Sequence, residues 1–479
     1  MREPRHALHA RIAETLERGF PDVAENQPEI LARHCTEAGL IEKAADLWGK
    51  AGQRSLERSA LVEAVNQLTR ALDQIATLPG TPVLRRNQIK LQVGLMNTLM
   101  HTKGHAAHET RAAAERARLL IESAQALGET SEDPLLLFSV LWGFWVANLA
   151  AFNGDLTAEL ARELLTLAEK QKASVPLMIA HRSTGISLLH TGEIAQCRPH
   201  FDRAIALYDP AEHRPLATRF GGDIGVTILA FRSVALWILG HPGSAQTDAE
   251  DALSNARETG HAITLMYALT HVSMTHFCCG NYTIARAEAD ELVSLAGEKG
   301  SQIWKAYGTS RQGFLAVMAD KASDAVQTIT SAIDAARSVG STLWTPLNLA
   351  HLAKAYTALS KFDEAWRCIG EATTAMARTK ETWWEAEVHR IAGEIERDSL
   401  EPDVAKAQAY FERALAVARQ QQAKSWELRA SMSLARLWRD QAKVQQAREL
   451  LAPVYGWYIE GFDTRDLKDA KALLDELAA

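Results

Sequence analysis

The chain has 479 residues, of which 47% are apolar and 23% are charged, as is ordinary for a soluble folded protein. Its net charge is −7 and no basic stripe is visible, so nucleic acid is a poor candidate for a partner. The five cysteines are scattered through helical patterns, which favours reduced, buried thiols in a cytoplasm. Runs of alternating β-branched residues are absent, so we expect helices and no sheet.

The first 80 residues predict four helices. An amphipathic helix is expected over residues 1–18, which lack the apolar core of a secretory signal. Three more are expected over residues 28–38, 41–56 and 60–75. The last two carry a pattern that resembles the 34-residue tetratricopeptide repeat, formed by Trp48, Ala51, Gly52, Leu56, Ala64, Leu68 and Ala71. Residues 78–82 contain two prolines and a glycine, so we expect regions 1–80 and 81–479.

Two later stretches allow more than one interpretation. Residues 134–154 carry no charge and could suggest a membrane span, but Ser139, Gly143 and Asn148 interrupt the run. We favour the first helix of a repeat unit, buried by its neighbours on both sides. Residues 209–223 are inserted between two predicted helices, and loops are where repeat proteins place function. A long connector is the simpler interpretation of this insertion.

From residue 224 the sequence repeats with a step of about 40 residues. A small residue recurs where two helices of one unit should cross, a tryptophan recurs near the start of each unit, and a glycine marks the turns. These markers are Ala245, Ala285, Ala325, Ala365, Ala407 and Ala447; Trp304, Trp344, Trp384 and Trp426; and Gly260, Gly300 and Gly340. They predict an all-α, tetratricopeptide-like, right-handed α-solenoid of about ten helix pairs. A charged helix over residues 463–477 is expected to cap its end.

Motifs that would carry catalysis are missing. The sequence contains no phosphate-binding loop, no H-E-x-x-H, no C-x-x-C and no G-x-S-x-G. We therefore expect no catalytic residue, no cofactor and no metal. His271, His276, Cys278 and Cys279 could suggest a metal site, but their spacing on a helix favours a helix–helix seam. The repeated tryptophans could line a ligand groove, although packing between units is the simpler interpretation.

Residues 30–60, 423–477 and the insertion at 208–223 are similar to the C-terminal repeat region of a family of bacterial signalling proteins. In that family, a class III adenylate or guanylate cyclase domain precedes a STAND-like AAA-type ATPase and then tetratricopeptide repeats. The cyclase aspartates and the ATPase phosphate loop have no counterpart here. The resemblance implies a sensing or regulatory role, with catalysis in domains that this chain lacks. It also implies that Met1 begins a truncated or separately encoded remnant.

In such arrays the first helix of each unit lines the concave side, which solenoids use for recognition. Six groove-facing candidates follow from the register: Tyr267, Met274, Lys354, His389, Arg429 and Arg436. The mixture of aromatic, apolar and basic groups suits a protein or peptide with some acidic character, although each could be an ordinary solvated position. We expect a cytoplasmic signalling partner, or the cyclase–ATPase portion if it is separately encoded, and no membrane partner.

Overall fold

The computed structural model describes residues 2–129 and 135–478, and within these ranges it contains no β-strand. The four helices predicted in the first 80 residues end within one residue of the prediction, and a short fifth helix that the sequence analysis missed, α2, follows Phe20. Prolines begin α2 and α3, and Gly39 adopts a positive φ before α4. Trp48 joins α3 to α4 by donating from Nε1 to Thr36 Oγ1 at 3.0 Å. These helices are α1 (Arg2–Gly19), α2 (Pro21–Asn26), α3 (Pro28–Glu37), α4 (Ile41–Glu57) and α5 (Leu61–Ile75).

The middle of the chain contains longer hairpins and one short interruption. These elements are α6 (Pro82–Thr102), α7 (His108–Ala126), α8 (Leu136–Ala150), α9 (Gly154–Gln171), α10 (Ser174–His190), α11 (Ile194–Ala206), α12 (Pro210–His213), a 3-10 turn (Arg214–Leu216), α13 (Ile224–Ile238), α14 (Pro242–Thr259), α15 (Ala262–Cys279) and α16 (Tyr282–Glu298). The uncharged stretch forms α8, and Pro134 lies outside the described residues. No helix within 2–129 or 135–478 combines the length and apolar character that a membrane crossing requires.

The last part of the chain repeats most regularly. It comprises α17 (Gln302–Met318), α18 (Ala322–Ser338), α19 (Thr345–Ala358), α20 (Phe362–Thr379), α21 (Glu385–Asp398), α22 (Val404–Gln420), α23 (Lys424–Asp440), α24 (Val444–Tyr455) and α25 (Arg465–Glu476). In the described residues, ten hairpins follow one another: α4–α5, α6–α7, α8–α9, α10–α11, α13–α14, α15–α16, α17–α18, α19–α20, α21–α22 and α23–α24. The prediction of an all-α helical-repeat fold is confirmed.

The register alanines lie where the two helices of a hairpin cross. All six are on second helices and are completely buried: Ala245, Ala285, Ala325, Ala365, Ala407 and Ala447. The first helices also carry small residues at the crossings. A Cβ atom added to Gly313 would lie 2.5 Å from Ile329 Cγ1, so α17 and α18 approach too closely for a side chain. The 40-residue period of the sequence therefore reflects the need for a small residue wherever the two helices of a hairpin cross.

The hairpins wind so tightly that the second superhelical turn rests on the first. Thr342 Oγ1 donates to Ala151 O at 2.6 Å, and Thr382 Oγ1 donates to Thr191 O at 2.7 Å, each across 191 residues. Ser425 Oγ donates to Trp237 O across 188 residues. Because a hairpin occupies about 40 residues, these separations correspond to about five hairpins in a turn. The final turns of α8, α10 and α13 therefore lie against the starts of α19, α21 and α23.

The predicted division at residue 80 stays a prediction. Leu91 of α6 belongs to the same buried cluster as Leu56 and Leu68 of the preceding hairpin, so apolar packing continues across the Pro-rich break. The predicted capping helix corresponds to α25, whose Leu467, Ala470 and Leu473 are buried against the end of the array.

We predict that Ala365→Leu lowers the free energy of unfolding by about 1–3 kcal/mol, because the larger side chain overpacks a closed helix crossing. Ala377→Leu is the control, since Ala377 is exposed on the same helix, α20. Urea denaturation of both variants measures the effect. Equal stabilities for the two variants would show that the register is misplaced.

Candidate functional site

The first helices of the hairpins converge on the superhelix axis, and large aromatic side chains fill the space between them. Trp384 and Trp426 meet edge to face with ring centroids 4.5 Å apart, and Trp237 of the first turn meets Trp426 at 4.7 Å. Trp304, Trp344, Trp384 and Trp426 are all buried. These tryptophans therefore pack between turns as well as between consecutive units, as the packing interpretation expects.

Buried histidines accompany these tryptophans along the axis. Burial lowers the pKa of His190 to about 4 and the pKa values of His271 and His351 to about 3, so all three are neutral at physiological pH. His190 Nε2 accepts from Trp344 Nε1 at 3.2 Å, and the ring of His351 stacks on Phe314 at 4.0 Å. The imidazoles therefore serve as flat, uncharged groups in the interior.

The side chains that could suggest a metal site have other surroundings in the structure. His276 Nδ1 lies 2.9 Å from the carboxylate of Glu288, and Cys278 and Cys279 are buried. Burial raises the pKa of Cys278 to about 12, which keeps the thiol protonated. In the part of the chain that the structure describes, no three His, Cys, Asp or Glu side chains are placed to hold a metal ion.

Of the six predicted groove residues, Met274 is buried, and Tyr267 and Arg429 are partly buried and held by neighbouring groups. Met274 is 2% exposed, and its Sδ atom is 3.0 Å from Arg311 Nη1. Tyr267 stacks on His271 at a centroid distance of 4.9 Å.

Arg429 is held on several sides. Its Nε donates to Asp466 Oδ2 at 2.8 Å, its Nη2 donates to Cys278 O at 3.0 Å, and its guanidinium lies over Trp237. These contacts join α23 to α25 and to the first turn, so Arg429 already has a structural role.

The other three predicted residues lie at partly accessible positions of the second turn. His389 is 3.7 Å from the carboxylate of Glu385, one helical turn away. Lys354 and Arg436 are half-buried, and neither forms a hydrogen bond or an ion pair with any residue that the structure describes. The two share one register position with Glu394, and each of the three lies four positions before the last residue of its helix, on the consecutive first helices α19, α21 and α23.

We call the group Lys354, Arg390, Glu394 and Arg436 the cationic mouth. Arg390 pairs with Glu387 at 2.7 Å and also with Glu394. Burial lowers the pKa of Lys354, with Glu394 opposing the shift, and burial likewise lowers the pKa of Arg436, with Asp469 and Glu394 opposing it. Lys354 and Arg436 therefore both interact electrostatically with Glu394 of the central ion pair, while neither forms an ion pair of its own within the described residues. The described residues contain no third turn to cover these helix ends.

Sequence reasoning missed Arg390 and Glu394. The signal was present, because Glu394 lies 40 residues after Lys354 and 42 before Arg436, on the same step as the repeat. The equivalent positions in preceding units are Met274 and Phe314, so one register position changes from apolar to charged along the chain.

No protein-family model matches the chain. An uncharacterized protein of Rhizobium meliloti (strain 1021) is 22% identical over 392 residues, which are 81% of this chain and 37% of that protein. The chain thus spans little more than a third of that relative's length.

Among solved structures, a Rap protein complexed with Competence and Sporulation Factor superposes with a TM-score of 0.53 at 10% identity, covering 82% of this chain and 99% of that one. This likeness shows a shared tetratricopeptide-like helical-repeat fold. A STAND protein with a tetratricopeptide repeat sensor from Pyrococcus horikoshii gives a TM-score of 0.39 at 12% identity, covering 86% of this chain and 54% of that one.

We predict that acid destabilises the protein partly through His351. The pKa of His351 is about 3 in the folded chain, whereas an unfolded histidine has a pKa near 6.5. Between these two pH values the unfolded chain binds a proton at this residue and the folded chain does not. Stability should fall from pH 6.5 toward pH 3, by up to about 1.4 kcal/mol per pH unit for this one group.

His351→Phe keeps a flat ring against Phe314 and removes the titration. Urea denaturation between pH 7 and pH 4.5 should show a smaller acid loss in this variant than in the parent chain. Parallel pH profiles for the two proteins would contradict the assignment.

Proposed function

We propose that the chain is a non-catalytic regulatory module that binds an acidic segment of a protein or peptide at the cationic mouth. The observation that supports this proposal is the pair of half-buried cations, Lys354 and Arg436, that have no hydrogen bond or ion pair among the described residues. The proposed binding site is therefore smaller than the groove predicted from the sequence, and it lies at the open end of the second superhelical turn. His389 lies on the same helix as Arg390 and remains a candidate contact.

The electrostatics favour a carboxylate ligand. The cationic mouth and Glu387 together contain three cations and two carboxylates, and Arg390 engages both carboxylates. A half-buried charge loses part of its hydration, and an incoming carboxylate would compensate that loss in surroundings where charges interact more strongly than in water. A peptide also offers backbone groups and apolar side chains to the walls of the groove.

We further propose that the module belongs to a bacterial, cytoplasmic signalling system. The resemblance to the repeat region of cyclase–ATPase proteins supports this, and a relative of much greater length is consistent with additional domains. The partner would be another signalling protein or the cyclase–ATPase portion itself. Alternatively, the chain is the regulatory C-terminal part of such an enzyme. The five cysteines are free and buried, which suits a reducing compartment.

The non-catalytic part of the proposal has a direct test. The purified chain, incubated with ATP or GTP and magnesium, should neither hydrolyse nucleotide nor form a cyclic nucleotide, because the sequence has no phosphate-binding loop. Micromolar ATP binding by calorimetry, or turnover above a boiled control, would contradict it.

Peptides selected from a random display library on the purified chain should be enriched in Asp and Glu. For a selected peptide, we predict that Lys354→Gln/Arg436→Gln weakens binding at least about tenfold and reduces its salt dependence, because two charge-assisted contacts are lost. Fluorescence anisotropy at two salt concentrations measures both quantities.

Lys170→Gln/Arg203→Gln is the matched control, since it removes two exposed cations from outer helices of the first turn. Its affinity should equal that of the parent chain. If both double variants bind alike, or if acidic peptides are not enriched, the proposed site is wrong.

A further inference from the structure

A second site lies on the axis of the first turn, away from the cationic mouth. It is a cavity of about 50 Å³ with aromatic walls. Trp142, Trp145, Trp304 and Trp344 line it, and the first and last of these belong to different superhelical turns. By volume the cavity has room for about three or four water molecules, or for one small organic molecule that takes up the space of those waters.

The inserted segment 209–223 forms one wall of this cavity. Asn97 of α6 donates to Arg219 O, and Arg219 Nε donates to Ser139 Oγ of α8 at 2.7 Å. Phe220 then meets Trp142 edge to face with centroids 5.6 Å apart, and Gly221 lies beside His101. The insertion therefore bridges two first helices across the axis and encloses the space between them.

Three polar atoms of the cavity walls are buried and have no hydrogen-bond partner among residues 2–129 and 135–478: His101 Nε2, Trp142 Nε1 and Arg182 Nε. All three are hydrogen-bond donors. Trp142 Nε1 and Arg182 Nε can only donate. His101 Nδ1 accepts from Trp304 Nε1 at 3.3 Å, and burial lowers the pKa of His101 well below its usual value, so the neutral ring carries its proton on Nε2.

The cavity also holds a buried guanidinium, which forms no ion pair within the described residues and lies over the Trp142 ring at 5.6 Å. Arg182 is 2% exposed and donates from Nη1 to Thr227 Oγ1 at 2.9 Å. None of the residues that line the cavity is an Asp or a Glu. The carboxylate of Asp223 is engaged by the hydroxyl of Tyr208 at 2.7 Å and by the amide of Val226 at 2.9 Å. A buried cation and three unpaired donors are costly unless an acceptor joins them.

We propose that this cavity is a binding site for a small monocarboxylate about the size of acetate, separate from the cationic mouth. A carboxylate matches the guanidinium in charge and offers enough lone pairs for all three donors. Its short apolar end suits the tryptophan walls. Water and inorganic anions are the competing occupants, and the experiment below separates them.

The test uses the full chain at pH 7 and constant ionic strength, with sodium acetate, sodium chloride and acetamide as probes. Acetate should raise the melting temperature in a saturable way, and calorimetry should show one site per chain. Acetamide, which has nearly the shape of acetate but no charge, and chloride should produce no saturable shift.

Trp142→Phe removes one unpaired donor and keeps an aromatic ring, so it should weaken acetate binding by about tenfold. Trp438→Phe is the matched control, because Trp438 lies outside the cavity and its Nε1 donates to Gln408 Oε1 at 3.3 Å. Its acetate affinity should stay close to that of the parent chain. Arg182→Gln should abolish binding.

Unchanged acetate binding by Trp142→Phe would overturn the proposal, even if Arg182→Gln fails to fold. Saturable binding of chloride with the same affinity as acetate would assign the site to inorganic anions. If no probe shifts the melting temperature, the cavity holds water. Either outcome overturns the proposal. The variant Lys354→Gln/Arg436→Gln should bind acetate like the parent chain, so failure of the cavity proposal is distinguishable from failure of the peptide site.

Discussion

Hydroxyl groups at the starts of second-turn units hold the two superhelical turns together. The last carbonyls of a helix have no partner within that helix, and Thr342, Thr382 and Ser425 donate to such carbonyls of α8, α10 and α13. Ser301 does the same for His101 O in α6. Each contact links a helix end to a unit about five hairpins later. The separation of about five hairpins between bonded groups fixes the number of hairpins in each superhelical turn. Because the turns are tightly wound, little open space is left along the superhelix axis.

The narrow axis divides the inner surface into two kinds of environment. In the first turn, helix ends are covered by the second turn, and aromatic rings and neutral histidines fill the interior. In the last three hairpins the same register position carries Lys354, Glu394 and Arg436 in place of Met274 and Phe314. Charge is tolerable there because the described residues place no further turn over those helix ends. Recognition of an acidic segment is therefore proposed at that end of the axis.

Local features were predictable from sequence, because they depend on neighbours in the chain. The helices expected at 41–56 and 60–75 are α4 (Ile41–Glu57) and α5 (Leu61–Ile75), and the buried register alanines were recognisable from their period. The pitch was not predictable, since helical spacing identifies a face without showing which distant unit covers it. For that reason Met274 is buried in the interior, although it shares a register position with the partly accessible Lys354 and Arg436. The role of the six residues in binding stays a prediction.

Stacking of the two turns is the central claim, and disulfide trapping tests it most directly. Ser244 N donates to Glu460 Oε1 at 2.9 Å across 216 residues, and a Cβ atom on Gly243 would lie 3.6 Å from Glu460 Cβ, within the range of a disulfide. Gly243→Cys/Glu460→Cys should therefore form an intramolecular disulfide under native oxidising conditions, detected by mass spectrometry. Gly243→Cys/Asp440→Cys, which places the second cysteine at the exposed end of α23, should not form one. Absence of the bond in the first variant, or equal yields in both, would contradict a stacked superhelix.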